Sequence, residues 1–251
     1  MTCERLRMKI TIITACYNSI ATIRDAIESV KSQKLPEGVE LEHLIIDGGS
    51  TDGTEKLATI SERDRGMYDA INKGIKMATG DVIGILNADD VLASDDVIVR
   101  IAEAFQVDDM DAIYADIRFV RELGGPTVRY CTGKFFRPWM FRFGTQVAHP
   151  SFFARKSCFE KYGGYSLDYG MYGDFELLCR FIWKHRIHTR YLPFCTTVMR
   201  LGGASTSGWR ATVKINRSNL RALRANGCYS NYLFLYSRYF IKIWGFVFRH
   251  T

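Results

Sequence analysis

Hydrophobic and polar positions follow two periods along the first half of this chain. Short runs rich in Ile, Val and Leu, at Lys9–Ala15, Leu41–Ile46 and Val82–Leu86, read as buried β-strands. Between and after them the spacing becomes helical. Ile20, Ile23, Ile27 and Val30 follow Ser19, a residue suited to capping a helix. Ile71, Ile75 and Ala78 mark one face of Met67–Ala78, which stops at Gly80. Val97, Ile98, Ile101 and Phe105 follow Ser94, a second candidate cap. Strands alternating with helices predict an α/β fold on a mostly parallel sheet flanked by helices. Ligands are then expected at the carboxyl ends of the strands.

Past residue 110 the pattern changes. Ala112–Val120 and Thr127–Cys131 flank Gly124-Gly125 and predict a hairpin. Ser151–Ala154 and Thr196–Arg200 read as further short strands, and Lys156–Tyr162 and Phe175–Lys184 as helices. Neither a repeat nor a Pro-, Gly- or Ser-rich linker divides residues 1–205, which are expected to form one domain. A chain of 251 residues, 47% hydrophobic, supports one substantial core better than two.

Three polar clusters follow strand ends: Thr14 to Asn18, Asp47 to Gly53, and Asn87 to Asp90. In a parallel sheet these positions share one rim and can line a single site. A buried strand that ends in the adjacent carboxylates Asp89 and Asp90 brings like charges together out of water, which a hard divalent cation such as Mg²⁺ or Mn²⁺ would offset. The plain alternative is that one of the pair caps the following helix. Neither GxGxxG nor GxxxxGK[ST] occurs, which argues against a dinucleotide fold and a P-loop.

Charge is distributed unevenly. The net charge is +7, but Glu176 is the last acidic residue. The 13 Lys and Arg after it leave 21 basic and 27 acidic groups in the first 176 residues. A basic final third on an acidic body points to an anionic partner on one side. Arg210, Lys214, Arg217, Arg221 and Arg224 form one helical stripe, and Arg238, Lys242 and Arg249 share a face with Asn231 amid Tyr, Phe and Trp. A basic, aromatic, amphipathic extension over residues 206–251 is expected to lie on an anionic membrane surface, since Arg238 and Lys242 interrupt any spanning run. The alternatives are docking on its own domain or on a second subunit, as in a homodimer. No nucleic-acid motif accompanies the charge. Seven cysteines without CxxC spacing suggest a reducing compartment, and no signal peptide is apparent.

Four stretches, taken together and in order, resemble the family 2 glycosyltransferases of GT-A fold, of the bacterial surface-polysaccharide type. They are Thr14-Ala15-Cys16-Tyr17-Asn18 followed by Asp47-Gly48-Gly49-Ser50-Thr51-Asp52-Gly53-Thr54, then Ser61 to Gly74, then Gly80-Asp81 running into Leu86-Asn87-Ala88-Asp89-Asp90, and Gly173-Asp174-Phe175-Glu176-Leu177. The resemblance covers roughly residues 8–205. It implies a nucleotide-sugar half, about 8–115, and an acceptor half, about 116–205.

The resemblance also implies roles. Thr14 and Asp47, with Tyr17 and Asn18 beside them, would hold base and ribose, and Asp69, Asn72 and Lys73 would flank the base and diphosphate. Asn87-Ala88-Asp89 stands where the family has DxD, so Asp89 would contact Mn²⁺ or Mg²⁺, aided by Asp90. Asp174 would be the catalytic base, with Glu176 as runner-up. His149 would lie on the acceptor or metal side, with Tyr172 on the acceptor side. Gly202-Gly203-Ala204-Ser205-Thr206 would be a mobile loop over the donor phosphates.

The implied function is metal-dependent, inverting transfer from a nucleotide-sugar, UDP by family habit, to a glycan acceptor. That acceptor would be lipid-linked, at the cytoplasmic face of the membrane. Two other classes compete. A sugar nucleotidyltransferase should carry a Gly-rich, basic loop after the first strand, which Thr14 to Ser19 lacks. A non-catalytic GT-A-like binding protein has no need to keep Asp89 and Asp174.

Overall fold

The computed structural model describes residues 7–107, 109–202 and 209–238. Its centre is one sheet of nine strands, in the order β3-β2-β1-β4-β8-β6-β9-β5, with β7 paired to β6. The strands are β1 Met8–Cys16, β2 Val39–Asp47, β3 Ile60–Ser61, β4 Val82–Ile85, β5 Val91–Leu92, β6 Ala112–Val120, β7 Thr127–Cys131, β8 Phe153–Arg155 and β9 Thr189–Arg200. The helices are α1 Ile23–Lys31, α2 Met67–Met77, α3 Val97–Val107, α4 Lys156–Tyr162, α5 Gly173–Leu178 and α6 Trp209–Ala225.

The expected parallel sheet accounts for β3, β2, β1 and β4. β8 then joins β4 antiparallel, and β6 carries β7 and β8 antiparallel and β9 parallel, so the second half is mixed. The hairpin falls at the predicted residues. β3 and β5, only two residues each, carry too little pattern to be read in the sequence. Between Thr54 and Leu57 the chain makes a single 3₁₀ turn.

Helices cover both faces, which is why the central strands read as continuous apolar runs rather than alternating ones. Ile13, Ile46, Ile83 and Ile85 face a core shared with α2, α5 and α6. Ile10, Ile12, Val82 and Leu86 face the opposite core with α1 and α3. The sheet has no room for a side chain at Gly84, where a Cβ would meet the Phe153 ring at 2.1 Å.

Helix starts differ from expectation. The Ser19 hydroxyl donates to the Tyr17 carbonyl instead of capping, and α1 begins at Ile23 behind Thr22. Ser94 bonds Asp96, and the Ile98 amide at the start of α3 is satisfied by Gln33 Oε1 at 3.1 Å. A long-range amide has taken the role expected of a local hydroxyl. Phe175–Lys184 also begins earlier, at Gly173, and passes into a π-helical turn over Cys179–Lys184.

The described part of the C-terminal extension docks on the domain. Leu220, Ala222 and Leu223 of α6 are buried in the core shared with α5, while Lys214, Arg217, Arg221 and Arg224 stay exposed. Arg238, expected on a membrane-facing stripe, is instead half-buried and donates to the Gly144 carbonyl and to Asn216 Oδ1. Gly203 to Thr206, and Lys242 and Arg249, lie outside the described residues.

Candidate active site

Register places the three polar clusters side by side. Cys16 pairs with Asp47, and Ile13 with Ile85, so the ends of β1, β2 and β4 form one rim. The Leu86 amide continues the ladder to the Ile13 carbonyl. β8 runs antiparallel to β4, so the turn His149–Ser151 before it comes back to the same end.

Several expected residues stand on this rim with their side chains turned inward. Asp47 is fully buried. Its carboxylate accepts from the amides of Gly49 and Ser50 and from the hydroxyls of Ser50 and Ser61. Burial alone would raise its pKa, but these donors outweigh that and hold it below the usual carboxylate range. Thr14 is likewise buried, its Oγ1 3.0 Å from His43 Nε2. Read from sequence as contacts to base and ribose, both side chains are engaged within the protein, Asp47 by Gly49, Ser50 and Ser61 and Thr14 by His43 of β2. Asn72 is engaged in the same way, bonding both the amide and the carbonyl of Tyr165 at 2.8 Å.

Tyr17, at 64% exposure, and Asn18, at φ 47°, present themselves outward. Asn18 Oδ1 accepts from the Thr51 amide. Asp69 is held by Arg65 through backbone and guanidinium, and Lys73 by Glu62 at 2.8 Å and the Arg63 carbonyl.

His43 gives the rim a pH dependence. Burial, aided by Lys31, holds its imidazole down to about 4, against an ordinary 6.5. The folded state then binds fewer protons than the unfolded one between those values. Stability present above about pH 6.5 is therefore lost as pH falls toward 4. Thermal midpoints over that range should fall for the wild type, and His43→Gln should remove part of the slope.

At the end of β4 the two carboxylates differ. Asp89 is half-exposed, whereas Asp90 is 1% exposed. Asn87 Nδ2 donates to Asp90 Oδ2 at 2.7 Å, and Asp90 Oδ1 has no hydrogen-bond partner among the described residues. Burial, then repulsion from Asp89, push Asp90 up to about 7. Neither carboxylate caps α3, which begins at Val97. A buried acid with an orphaned oxygen and a second carboxylate beside it fits a hard, oxygen-preferring divalent cation. Among the described residues no three His, Cys, Asp or Glu side chains converge to hold a metal. His149 does not join the pair: it is buried, with Nε2 2.6 Å from the Tyr165 hydroxyl.

Asp174 lies in the first turn of α5, and its surroundings are built from three separate segments. Gln146 Nε2 donates to Oδ2 at 2.6 Å. The Tyr68 hydroxyl, from the first turn of α2, lies 3.3 Å from Oδ1 and accepts from the Asp174 amide at 3.1 Å. Tyr68 stacks on Tyr165 with ring centroids 5.0 Å apart. Gly173 permits this approach, since a Cβ there would meet the Tyr68 ring at 2.9 Å. Burial, then the Asp174 charge, raise the Tyr68 and Tyr165 hydroxyls above their ordinary values and keep them protonated as donors. Burial lowers His149, while Asp174 opposes that effect.

The Asp174 carboxylate lines a cavity of about 290 Å³ together with Gln146, Tyr172, Asn219 and Arg238. Glu176, two residues on, is committed elsewhere. It is buried in a two-pronged ion pair with Arg180, both contacts at 3.0 Å, and accepts from Asn226.

Tyr68, Tyr165 and Gln146 were not singled out from sequence. Tyr68 could have been, because it occupies the buried face of α2 with Ile71 and Ile75, and a phenol there needs a polar partner. Gln146 carries no local signal.

The family model for glycosyl transferase family 2 matches residues 11–163, more than half of the chain. A PGL/p-HBAD biosynthesis glycosyltransferase of Mycobacterium tuberculosis is 28% identical over 195 residues, covering 72% of this chain and 73% of the relative. In structure the chain is similar to Staphylococcus aureus TarS 1–349 in complex with UDP-GlcNAc, at TM-score 0.61 and 15% identity over 85% of this chain and 67% of that one. It spans 44% of the longer TarS chain. It is also similar to the mannosyltransferase PcManGT of Pyrobaculum calidifontis in complex with GDP-Man and Mn²⁺, at TM-score 0.63 and 20% identity over 88% of this chain and 64% of that one. With its fold of the GT-A kind and a family model that matches residues 11–163, the chain belongs to glycosyl transferase family 2 and is a glycosyltransferase.

Proposed function

We propose that this enzyme transfers a sugar from a nucleotide-sugar to an acceptor hydroxyl with inversion, using Asp174 as general base and a divalent metal at Asp89 and Asp90. The observation that carries the reading is the Asp174 carboxylate. It opens on a cavity while Tyr68, on the helix that starts at the nucleotide-side rim, and Gln146 hold it in place.

The acceptor enters on the Tyr172 and Asn219 side. Asp174 accepts the proton of its hydroxyl as that oxygen bonds to the anomeric carbon. The bond from that carbon to the diphosphate breaks, and the nucleoside diphosphate leaves. A single displacement with one base inverts the centre, by analogy with inverting glycoside hydrolysis. Asp89 and Asp90 would hold the divalent ion, which would supply Lewis-acid stabilisation of the leaving diphosphate. Mg²⁺ commonly uses one or two carboxylates and fills its shell with water and phosphate oxygens, which suits a pair lacking a third protein ligand.

Asp47 and Asn72 contribute by fixing the chain beside the donor, and Thr14 by its contact with His43 of β2. Tyr17, Asn18, Asp69, Lys73, Asn87 and Ala88 line that side. Relatives in complex with UDP-GlcNAc and with GDP-Man and Mn²⁺ support the donor class and the metal. Among the described residues no helix is long and apolar enough to cross a membrane.

The test is thermal stabilisation by a panel of nucleotide-sugars. One donor should raise the midpoint by several degrees with Mn²⁺ or Mg²⁺ and not with a chelator. Stabilisation by none of them would remove the reading.

A further inference from the structure

Beside the Asp174 cavity the molecule carries an aromatic surface made by two segments distant in sequence. Trp139 and Phe143, in the 3₁₀ turn Pro138–Phe143, are in edge contact at 5.8 Å, and Phe143 stacks on Phe234 at 5.1 Å. Arg142 ties the segments together. Its Nε donates to the Tyr229 carbonyl, its own carbonyl accepts from Ser230, and its guanidinium lies over both the Tyr229 and Phe234 rings. The surface is held in place, not frayed.

It is also exposed where exposure of large apolar groups is costly. Trp139 and Tyr229, joined through Phe143 and Phe234, are 56% and 67% exposed; Leu233, next to Phe234 in the chain, is 75% exposed, and Phe135, on the loop that carries Trp139, 69%. Exposed apolar groups gathered in one place mark an interaction site. Both segments carry charge of one sign. Lys134 and Arg137 are exposed beside Arg142, and no Asp or Glu occurs between Glu122 and Glu160 or after Glu176. Aromatic rings with a polar edge, rimmed by cations, match the headgroup zone of an anionic bilayer.

The surface shares a wall with the cavity. Gly144 follows Phe143 and lines the cavity, and Arg238 lines it while donating to the Gly144 carbonyl. We infer that Trp139, Tyr229 and Leu233, rimmed by Lys134, Arg137 and Arg142, seat on an anionic membrane interface and hold the Asp174 cavity against it, toward an acceptor carried there. The last clause rests on the function proposed above; the docking itself does not.

Co-sedimentation of the full chain with vesicles tests this without donor, acceptor or turnover. The wild type should bind phosphatidylglycerol/phosphatidylcholine vesicles, bind pure phosphatidylcholine at least tenfold more weakly, and be released by salt. Trp139→Ser/Leu233→Ser should partition at least tenfold more weakly with its thermal midpoint retained, since both side chains are exposed. Lys134→Gln should weaken anionic binding severalfold. Asp174→Asn should bind as the wild type, so loss of transfer and loss of docking are read separately. Two outcomes overturn the inference: the wild type ignores the vesicles, or the double variant binds them as the wild type does.

Discussion

Asp174→Asn should lower kcat by about 10²–10⁴-fold while leaving donor affinity within about twofold, because the substitution removes the proton acceptor and little else. The neighbourhood suits this swap. Gln146 donates its Nε2 to Asp174 Oδ2, while its own Oε1 has no hydrogen-bond partner among the described residues. A flip of the Gln146 amide would let Oε1 accept from the introduced NH₂, and the Tyr68 hydroxyl and the Asp174 amide would keep their contact. The fold should therefore hold, with a thermal midpoint close to that of the wild type. Rate constants for release of nucleoside diphosphate, with donor titrations alongside, separate the two effects. Transfer at the wild-type rate would remove Asp174 as base. Glu176 would be a poor replacement, since freeing it breaks a buried ion pair with Arg180.

Asp89→Ala should abolish the metal-dependent part of donor binding, a loss of about 10²-fold or more. Asp89 is the half-exposed member of the pair, so its removal leaves no cavity in the core. It also relieves repulsion on Asp90, whose carboxyl is pushed up to about 7 by burial and by Asp89. The variant should fold at least as well as the wild type while its donor titration becomes indifferent to Mn²⁺. Calorimetric titration of the donor with and without Mn²⁺ reads this directly. An unchanged metal effect would move the metal away from this strand end.

Much of this was legible in the sequence because it is local. The runs around Ile10–Ile13 and Val82–Leu86 need only be short and apolar to be strands buried on both faces. The polar clusters after them reach one rim through parallel register, which alternation with helices predicts. What stayed hidden depends on long-range choices. Ser19 and Ser94 looked like caps, yet the α3 amide of Ile98 found Gln33 from 65 residues away. The depth of Asp47, which lets Gly49, Ser50 and Ser61 donate to its carboxylate, was likewise not readable locally. The amphipathic pattern of residues 209–238 is the same whether its apolar face meets lipid or its own domain. Here Leu223 and Leu235 fill the core and Arg238 turns inward, while the exposed aromatic surface arises partly on the loop around Trp139, which no periodicity marks. Gln146 and Tyr165 became visible only once three segments met at Asp174.

The most direct test of inverting transfer needs no knowledge of the acceptor. Donor hydrolysis with Mn²⁺, followed by proton NMR before mutarotation, reads the first-formed anomer of the released sugar. The account predicts the anomer opposite to that of the donor, at a rate that falls with Asp174→Asn. A first-formed sugar with the donor's own configuration would contradict it.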